Sequence, residues 1–392
     1  MENIIILGST GSIGDTTLRV INKNKKKFRI KLLSTNQNVK KIYKQALKFK
    51  VKSVVIYDQK KAKKNLDHFK KKKIHVYFSV QDALKKNFNK VDYSICAISG
   101  IDGLKPIIDV IKHSKKIGIA NKEAIICGWN FIRRELKKNK TKFIPLDSEH
   151  FSIWSLLKDE NKKNIKKIYL TASGGPFLNK ELKNIHNIKP KDALKHPNWK
   201  MGKKISIDSA TMMNKIFEVI EAKKMFDLET EKFEILIHPK SYIHAIIHFK
   251  TGLTKFLAHD TTMEIPILNS LHKKNKEFTY NKKDLVYSNL NGTNFIKPNI
   301  KNFPLLKILN NKFNNTYFEV ILVTINDALV EMYLKNSIKY ISIHMLLIKL
   351  LKNPYFAKYY CKSPKNINQI KNMVEMVKKY IHSYTKLNEN YI

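Results

Sequence analysis

Cysteine, arginine and acidic side chains are all scarce in this sequence, and each scarcity removes a class of function. Three cysteines in 392 residues, Cys96, Cys127 and Cys361, are odd in number and far apart. They make neither a disulfide framework nor a zinc cluster, which sets aside a small secreted scaffold and a structural zinc protein. No apolar run approaches the roughly 18 residues of a membrane-spanning helix. The sequence opens directly on a first strand, so no signal or transit segment is expected. The expectation is a protein of the reducing cytosol.

Lysine plus arginine number 75 against 32 aspartates and glutamates, a net charge of +43, yet the arginines are only Arg19, Arg29, Arg133 and Arg134. Readers of bases and phosphates draw on arginine for its two-pronged fork. The lysines are scattered through every segment, with local runs such as Lys70–Lys73, and no basic motif alternates with stacking aromatics. The excess is a compositional bias laid over an ordinary fold, not a nucleic-acid footprint.

What is present begins at the N-terminus. The apolar run Ile4–Leu7 leads straight into Gly8-Ser9-Thr10-Gly11-Ser12-Ile13-Gly14, after which Leu18 and Ile21 recur at helical spacing. A strand, a glycine turn and a helix in that order suit a dinucleotide site, since the glycines admit a pyrophosphate close to the backbone and the helix start offers free N–H groups, although a plain tight turn would carry the same glycines. The spacing is G-x-x-G-x-x-G instead of the commoner G-x-G-x-x-G. A second strand, Phe28–Ser34, ends in Thr35-Asn36-Gln37-Asn38. NAD sites place an acid there for the adenine ribose; none stands here, so NADP is permitted, and no cation lies in the loop before Lys40 and Lys41.

Further strands are predicted at 53–57, 92–98, 116–119 and 142–146, alternating with helices, which gives a Rossmann-like, doubly wound parallel sheet of α/β class. The domain division expected is a dinucleotide-binding domain over 1–146, an α+β catalytic domain over 147–272 with strands near 232–237 and 242–249, a polar linker over 273–303, and an all-helical domain over 304–392. In the last, Ile321, Ile325, Leu329 and Met332, then Ile341, Met345, Ile348 and Leu351, keep helical spacing.

The central region carries the densest chemistry. Asp147-Ser148-Glu149, taken as extended, sets two carboxylates on one face, and Glu218 adds a third from a helix predicted over 210–223. Three oxygen ligands without cysteine suit Mg²⁺ or Mn²⁺, although a solvated loop end would present the same Asp-x-Glu. Thr171-Ala172-Ser173-Gly174-Gly175-Pro176-Phe177 offers a hydroxyl beside flexible backbone, and His196-Pro197-Asn198-Trp199-Lys200-Met201-Gly202 holds a tryptophan suited either to a packed anchor or to a water-excluding lid. On the predicted helix Asn214 and Glu218 stand at i and i+4, Lys215 and Glu218 at i and i+3. Ser209, Asn214 and Lys215 read as a clamp for a small anion, or Lys215 and Glu218 as a surface salt bridge.

The segments GSTGSIG (8–14), ANKE (120–123), PLDSEH (145–150), TASGGPF (171–177) and HPNWKMGKKISIDSATMMNK (196–215) together resemble the 1-deoxy-D-xylulose 5-phosphate reductoisomerase family, across essentially the whole chain. The resemblance implies rearrangement of deoxyxylulose phosphate and reduction of the product by NADPH to 2-C-methyl-D-erythritol 4-phosphate, with a homodimeric assembly. It implies metal ligands at Asp147, Glu149 and Glu218, the triad already reached from spacing. It implies substrate contacts at Lys122, Ser148, Glu149, Ser173, His196, Ser209, Asn214, Lys215 and Glu218, with the phosphate held mainly by Ser173, Ser209, Asn214 and Lys215. Cofactor contacts fall on Thr10, Gly11, Ser12, Ile13, Asn121, Glu123 and Gly202, beside the Asn36–Asn38 loop. Lys122, Asp147, Glu149, Glu218 and His196 are the implied catalytic group, and His196 and Trp199 lie in the implied lid. A rival class, another NAD(P)-linked dehydrogenase of sugar phosphates or semialdehydes, would share the glycine turn but need no carboxylate triad.

The loop after the second strand departs from the family pattern. Bacterial members often have Gly-Lys-Asn against the 2′-phosphate, where this chain has Asn36-Gln37-Asn38. Replacing a charged partner of a phosphate with a neutral amide weakens binding by about 1 to 3 kcal/mol, unless Lys40 or Lys41 takes its place. NADPH is therefore expected to remain preferred over NADH by a narrowed margin, measured as the ratio of kcat/KM for the two cofactors; equal efficiency would overturn the expectation.

Overall fold

The computed structural model describes residues 1–85, 90–178, 180–182, 185, 188–199, 201–271, 280 and 286–387. The chain divides into two compact units, Met1–Phe151 with Met263–Asn281, and Ser152–Thr262 with Lys282–Ile392.

The first unit is built on a seven-stranded parallel sheet of β1 (Glu2–Leu7), β2 (Phe28–Thr35), β3 (Ser53–Ile56), β4 (His75–Tyr77), β5 (Val91–Cys96), β6 (Ser114–Ile119) and β7 (Lys142–Pro145). Their order is β4-β3-β2-β1-β5-β6-β7. The order reverses between β1 and β5, so right-handed crossovers place helices on both faces, as expected for a doubly wound sheet. Strands covered on both faces read as unbroken apolar runs, and Ile4, Ile5, Ile6 and Leu7 are fully buried. The strands expected from sequence do not include β4, whose three residues carry no such run and are only partly covered. The Glu264–Leu271 helix returns to this unit from far along the chain and packs on the Ser12–Lys23 helix. There Glu264 accepts from Arg19 Nε at 3.2 Å and Lys23 Nζ at 3.1 Å.

The second unit contains a mixed sheet in the order β11-β10-β8-β9, formed by β8 (Ile165–Ala172), β9 (Phe233–Ile237), β10 (Ile243–Phe249) and β11 (Thr254–Ala258). It also contains the helices Tyr317–Leu334 and Tyr340–Leu351, at the places the helical spacing indicated, and the further helix Ile367–Leu387, beyond those positions. Of the stretch 273–303, positions 273–279 and 281–285 lie outside the described residues, as do Lys200 and 388–392. In the remainder, Val286–Leu290 is helical and Ile296 bridges to Ile237.

The Tyr317–Leu334 helix starts on a capping box whose Glu319 serves two purposes. Glu319 Oε2 accepts from the Thr316 N–H at 2.9 Å, and Oε1 accepts from the Asn315 N–H at 2.7 Å and from Lys224 Nζ at 3.0 Å. Both members of the ion pair are buried. Further along, Asn326 donates to Asp208 at 2.8 Å, and Tyr340 donates through its hydroxyl to the carbonyl of Ala210 at 2.9 Å. The helical segment thus fixes the Lys203–Ala210 helix, whose last turn carries Ser209. Removing one partner of a buried pair leaves an uncompensated charge at a cost of about 3 to 5 kcal/mol. Lys224→Ala is expected to lower the urea midpoint accordingly, followed by circular dichroism; a midpoint within error of wild type would show that Glu319 is satisfied without the lysine.

Candidate active site

The glycine turn after β1 is shaped by close approach. Gly8 adopts φ +79°, and a Cβ there would lie 2.5 Å from the Ala97 carbonyl oxygen; a Cβ on Gly14 would lie 2.3 Å from the Gly8 carbonyl oxygen. Both positions therefore exclude a side chain. Gly11 has ordinary room but stands at the N-cap of the Ser12–Lys23 helix, where no side chain satisfies the first amides. The Gly11 N–H is taken by the Gly8 carbonyl at 3.1 Å, and the turn Thr10-Gly11-Ser12-Ile13 opens a helix whose first amides lack intrahelical partners, which fits a pyrophosphate. Thr10 Oγ1 bonds Thr35 Oγ1 at 2.7 Å, tying the turn to the end of β2 and so to Asn36–Asn38. Asn121 and Glu123 sit at the same C-terminal edge, past β6. Asn121 caps the Lys122–Asn139 helix by accepting from the Ala124 N–H at 2.6 Å and donates to the Gly100 carbonyl at 2.7 Å.

At the next strand end the structure corrects one expectation. Asp147 and Glu149 are not on an extended segment: β7 stops at Pro145, and a helix runs over Ser148–Leu156. Asp147 caps it, Oδ1 accepting from the Glu149 N–H at 3.2 Å. An aspartate ahead of Ser-Glu-His favours helix initiation over strand continuation. The two carboxylates therefore belong to the cap and first turn of one helix, and Ser148 donates to Glu149 Oε2 at 2.5 Å. Lys122 Nζ lies 2.5 Å from Asp147 Oδ2, and buried His150 puts Nδ1 3.2 Å from Oδ1. Burial would raise the Asp147 carboxyl, but Lys122 and His150 outweigh it and hold it well below the usual carboxylate range. His150 belongs to the PLDSEH motif at i+3 from Asp147, a spacing that brings the two together on a helix and not on the extended segment expected here.

In the second unit, the Thr171–Phe177 segment leaves β8 and turns through Gly174 and Gly175, both at positive φ. A Cβ on Gly175 would press on the Ser209 carbonyl oxygen at 3.2 Å, so this glycine lets the Ser173 turn lie against the end of the Lys203–Ala210 helix. Ser173 Oγ accepts from the Gly175 N–H at 3.1 Å and bonds His196 Nε2 at 2.9 Å. His196 Nδ1 accepts from the N–H groups of Asn198 at 3.2 Å and Trp199 at 3.0 Å. A neutral imidazole with Nδ1 accepting carries its proton on Nε2, so His196 donates to Ser173. Both lone pairs of the serine oxygen are then engaged, and its own proton is directed to a further acceptor. Desolvation, and secondarily Lys215, lower the His196 pKa from 6.5 to about 4.

The helix expected over 210–223 starts later, at Met213–Phe226, because Met212 turns left-handed at φ 62° and separates it from the Lys203–Ala210 helix. Its first turn presents Asn214 and Lys215 to one carboxylate: Asn214 Nδ2 donates to Glu218 Oε1 at 2.6 Å, and Lys215 Nζ lies 2.5 Å from Oε2. The side chains of Lys215 and Glu218 are 5% and 1% exposed. This is a buried charged group and not a surface salt bridge. Gly202 stands at the N-cap of the Lys203–Ala210 helix in the same unit. Asn198 holds the segment ahead of it by donating to the Pro239 carbonyl at 2.6 Å and Ser241 Oγ at 2.9 Å, while Trp199 meets His244 edge-on at 5.9 Å.

Comparison with known proteins agrees over the full length. A family model described as 1-deoxy-D-xylulose 5-phosphate reductoisomerase matches residues 4–128, and two models of C-terminal domains of the same enzyme match 143–226 and 259–380. The chain is 52% identical over 387 residues to the 1-deoxy-D-xylulose 5-phosphate reductoisomerase of Pelagibacter ubique, covering 98% of this chain and 99% of that one. It is 37% identical to that of Caldanaerobacter subterraneus, covering 90% and 92%. A solved DOX-P reductoisomerase in complex with NADPH, fosmidomycin and magnesium superposes with a TM-score of 0.89 at 28% identity and full coverage of both chains. The Zymomonas mobilis enzyme in complex with NADPH gives 0.85 at 26%, covering 98% of each.

The depressed pKa of His196 has a definite sign. Between pH 6.5 and 4 the unfolded chain binds a proton at this residue that the native state refuses, so acidification through that window destabilises the fold through His196. Ring ¹⁵N shifts followed by NMR are expected to hold the neutral pattern down to pH 5 and titrate near 4; a midpoint near 6.5 would disprove the buried arrangement.

Proposed function

The chain belongs to the 1-deoxy-D-xylulose 5-phosphate reductoisomerase family, and from that premise we propose the division of labour among its residues. The enzyme rearranges 1-deoxy-D-xylulose 5-phosphate and reduces the product with NADPH to 2-C-methyl-D-erythritol 4-phosphate, with magnesium. Manganese as an alternative metal, a homodimer and a cytoplasmic location are further parts of the proposal. Edge strand β11 supports the dimer: Phe256 on it and Leu253 just ahead of it are exposed beside a backbone edge that meets no other described strand. No described helix is long and apolar enough to cross a membrane. Residues 1–146 act as the dinucleotide-binding domain, 147–272 as the catalytic domain apart from the Glu264–Leu271 helix that packs on the first unit, 273–303 as a linker and 304–392 as the helical domain.

Asp147, Glu149 and Glu218 are the proposed metal ligands, an all-carboxylate set of the hardness magnesium requires. Once bound, the cation supplies Lewis acidity to the ketone and hydroxyl oxygens of the substrate. NADPH contributes the hydride. Thr10, Gly11, Ser12 and Ile13 cradle its phosphates, with Asn36–Asn38, Asn121, Glu123 and Gly202 as further contacts. Lys122 holds Asp147 ionised and brings positive charge to the substrate oxygens, and Ser148 orients Glu149. Ser173, Ser209, Asn214 and Lys215 bind the substrate phosphate. The Ser173 proton, directed outward by the bonds from His196 and Gly175, is a ready donor to that phosphate. Its binding energy, remote from the reacting carbons, positions them for reaction, and the segment around His196 and Trp199 covers the site against water.

The observation that carries this assignment is the convergence of Asn214 and Lys215 on buried Glu218. NADPH oxidation with 1-deoxy-D-xylulose 5-phosphate is expected with Mg²⁺ or Mn²⁺ and to stop with EDTA. Glu218→Gln is expected to abolish turnover with the fold intact by circular dichroism, and near-normal rates in saturating metal would refute the metal role. Metal-independent turnover would instead favour an ordinary dehydrogenase.

A further inference from the structure

The NADP reading leaves a charge unaccounted for, because the loop after β2 holds only amides: Asn36, Gln37 and Asn38. Lys41 does not fill the gap. Its Nζ donates to the Thr10 carbonyl at 3.1 Å and lies 3.2 Å from Asp15 Oδ1, so it braces the glycine turn. Asn38 caps the Val39–Lys48 helix by accepting from the Lys41 N–H at 3.1 Å.

A different cation reaches the loop from the neighbouring strand. β3 runs parallel to β2 with Thr35 opposite Ile56, and beyond the strands the Tyr57 N–H donates to the Thr35 carbonyl at 3.1 Å and the Asp58 N–H to the Asn36 carbonyl at 2.9 Å. The loops after the two strands are thereby sewn together. Asp58 Oδ1 accepts from the Lys61 N–H at 3.0 Å, starting the short Gln59–Lys63 helix and aiming its lysine at the loop. Lys61 Nζ donates to Gln37 Oε1 at 2.8 Å, with its side chain half exposed, and Asp58 Oδ2 stands off at 3.8 Å. An ammonium has three protons; one meets Gln37, and two are free to meet an anion.

We propose that Lys61 supplies the charge that recognises the 2′-phosphate of the cofactor, with Gln37 positioning its ammonium instead of carrying a cation of its own. This deepens the NADP assignment and rests on it. A lysine contact on an exposed loop is salt-sensitive and acts on the phosphorylated cofactor alone.

Equilibrium binding by nicotinamide fluorescence tests it on the full chain, with NADPH, NADH and the competitors adenosine 2′,5′-bisphosphate and AMP. Lys61→Gln is expected to weaken NADPH and the bisphosphate tenfold or more while NADH and AMP change less than twofold. Lys61→Arg should keep most of the affinity, and the neighbouring Lys60→Gln should change neither. NADPH binding within twofold of wild type in Lys61→Gln, or an equal loss for NADH, would overturn the role of Lys61. Wild-type protein that binds NADPH no more tightly than NADH would overturn the NADP reading itself.

Discussion

A carboxylate removed from water must be neutralised by its neighbours or give up its charge, and that constraint organises both halves of this molecule. Glu218 meets it within one helical turn, through Lys215 and Asn214. Asp147 meets it through Lys122 and His150, drawn from a different strand end and from its own helix. Glu319 meets it with Lys224 and the backbone of its cap. Two of these three stand where a divalent cation is proposed to bind.

The nucleotide side rests on geometry more than on charge. Gly8 and Gly14 are required by the closeness of neighbouring backbone, while Gly11, with ordinary room and an extended backbone, stands at the helix start without being forced by geometry.

Much of this is legible in the sequence. The buried run Ile4–Leu7 and the glycine turn carry their structure locally, so strand, turn and the following helix can be placed from spacing alone, whereas spacing does not mark the Lys203–Ala210 helix and the next helix begins at Met213 instead of 210. What cannot be read depends on partners far along the chain. Lys61 and Gln37 meet only because β2 and β3 pair in one register. Lys224 and Glu319 lie 95 positions apart. The strand β11 escapes notice because its first three residues face solvent. The extended reading of Asp147–Glu149 fails for a local reason: a capping aspartate imitates a strand end, and a period of two cannot be judged over three residues.

The first unit is discontinuous, and this bears on how the protein is made. The Ser12–Lys23 helix, which carries the nucleotide turn, leaves the ribosome well before its partner Glu264–Leu271, which follows only after the whole of Ser152–Thr262. At roughly 5 to 20 residues per second, the interval from Lys23 to Glu264 lasts about 12 to 48 s. Through it the apolar flank of the early helix waits uncovered while a four-stranded sheet of the other unit is being translated. The nascent chain therefore passes through a period in which the first unit is still incomplete, and in that period its uncovered apolar surface is open to a chaperone.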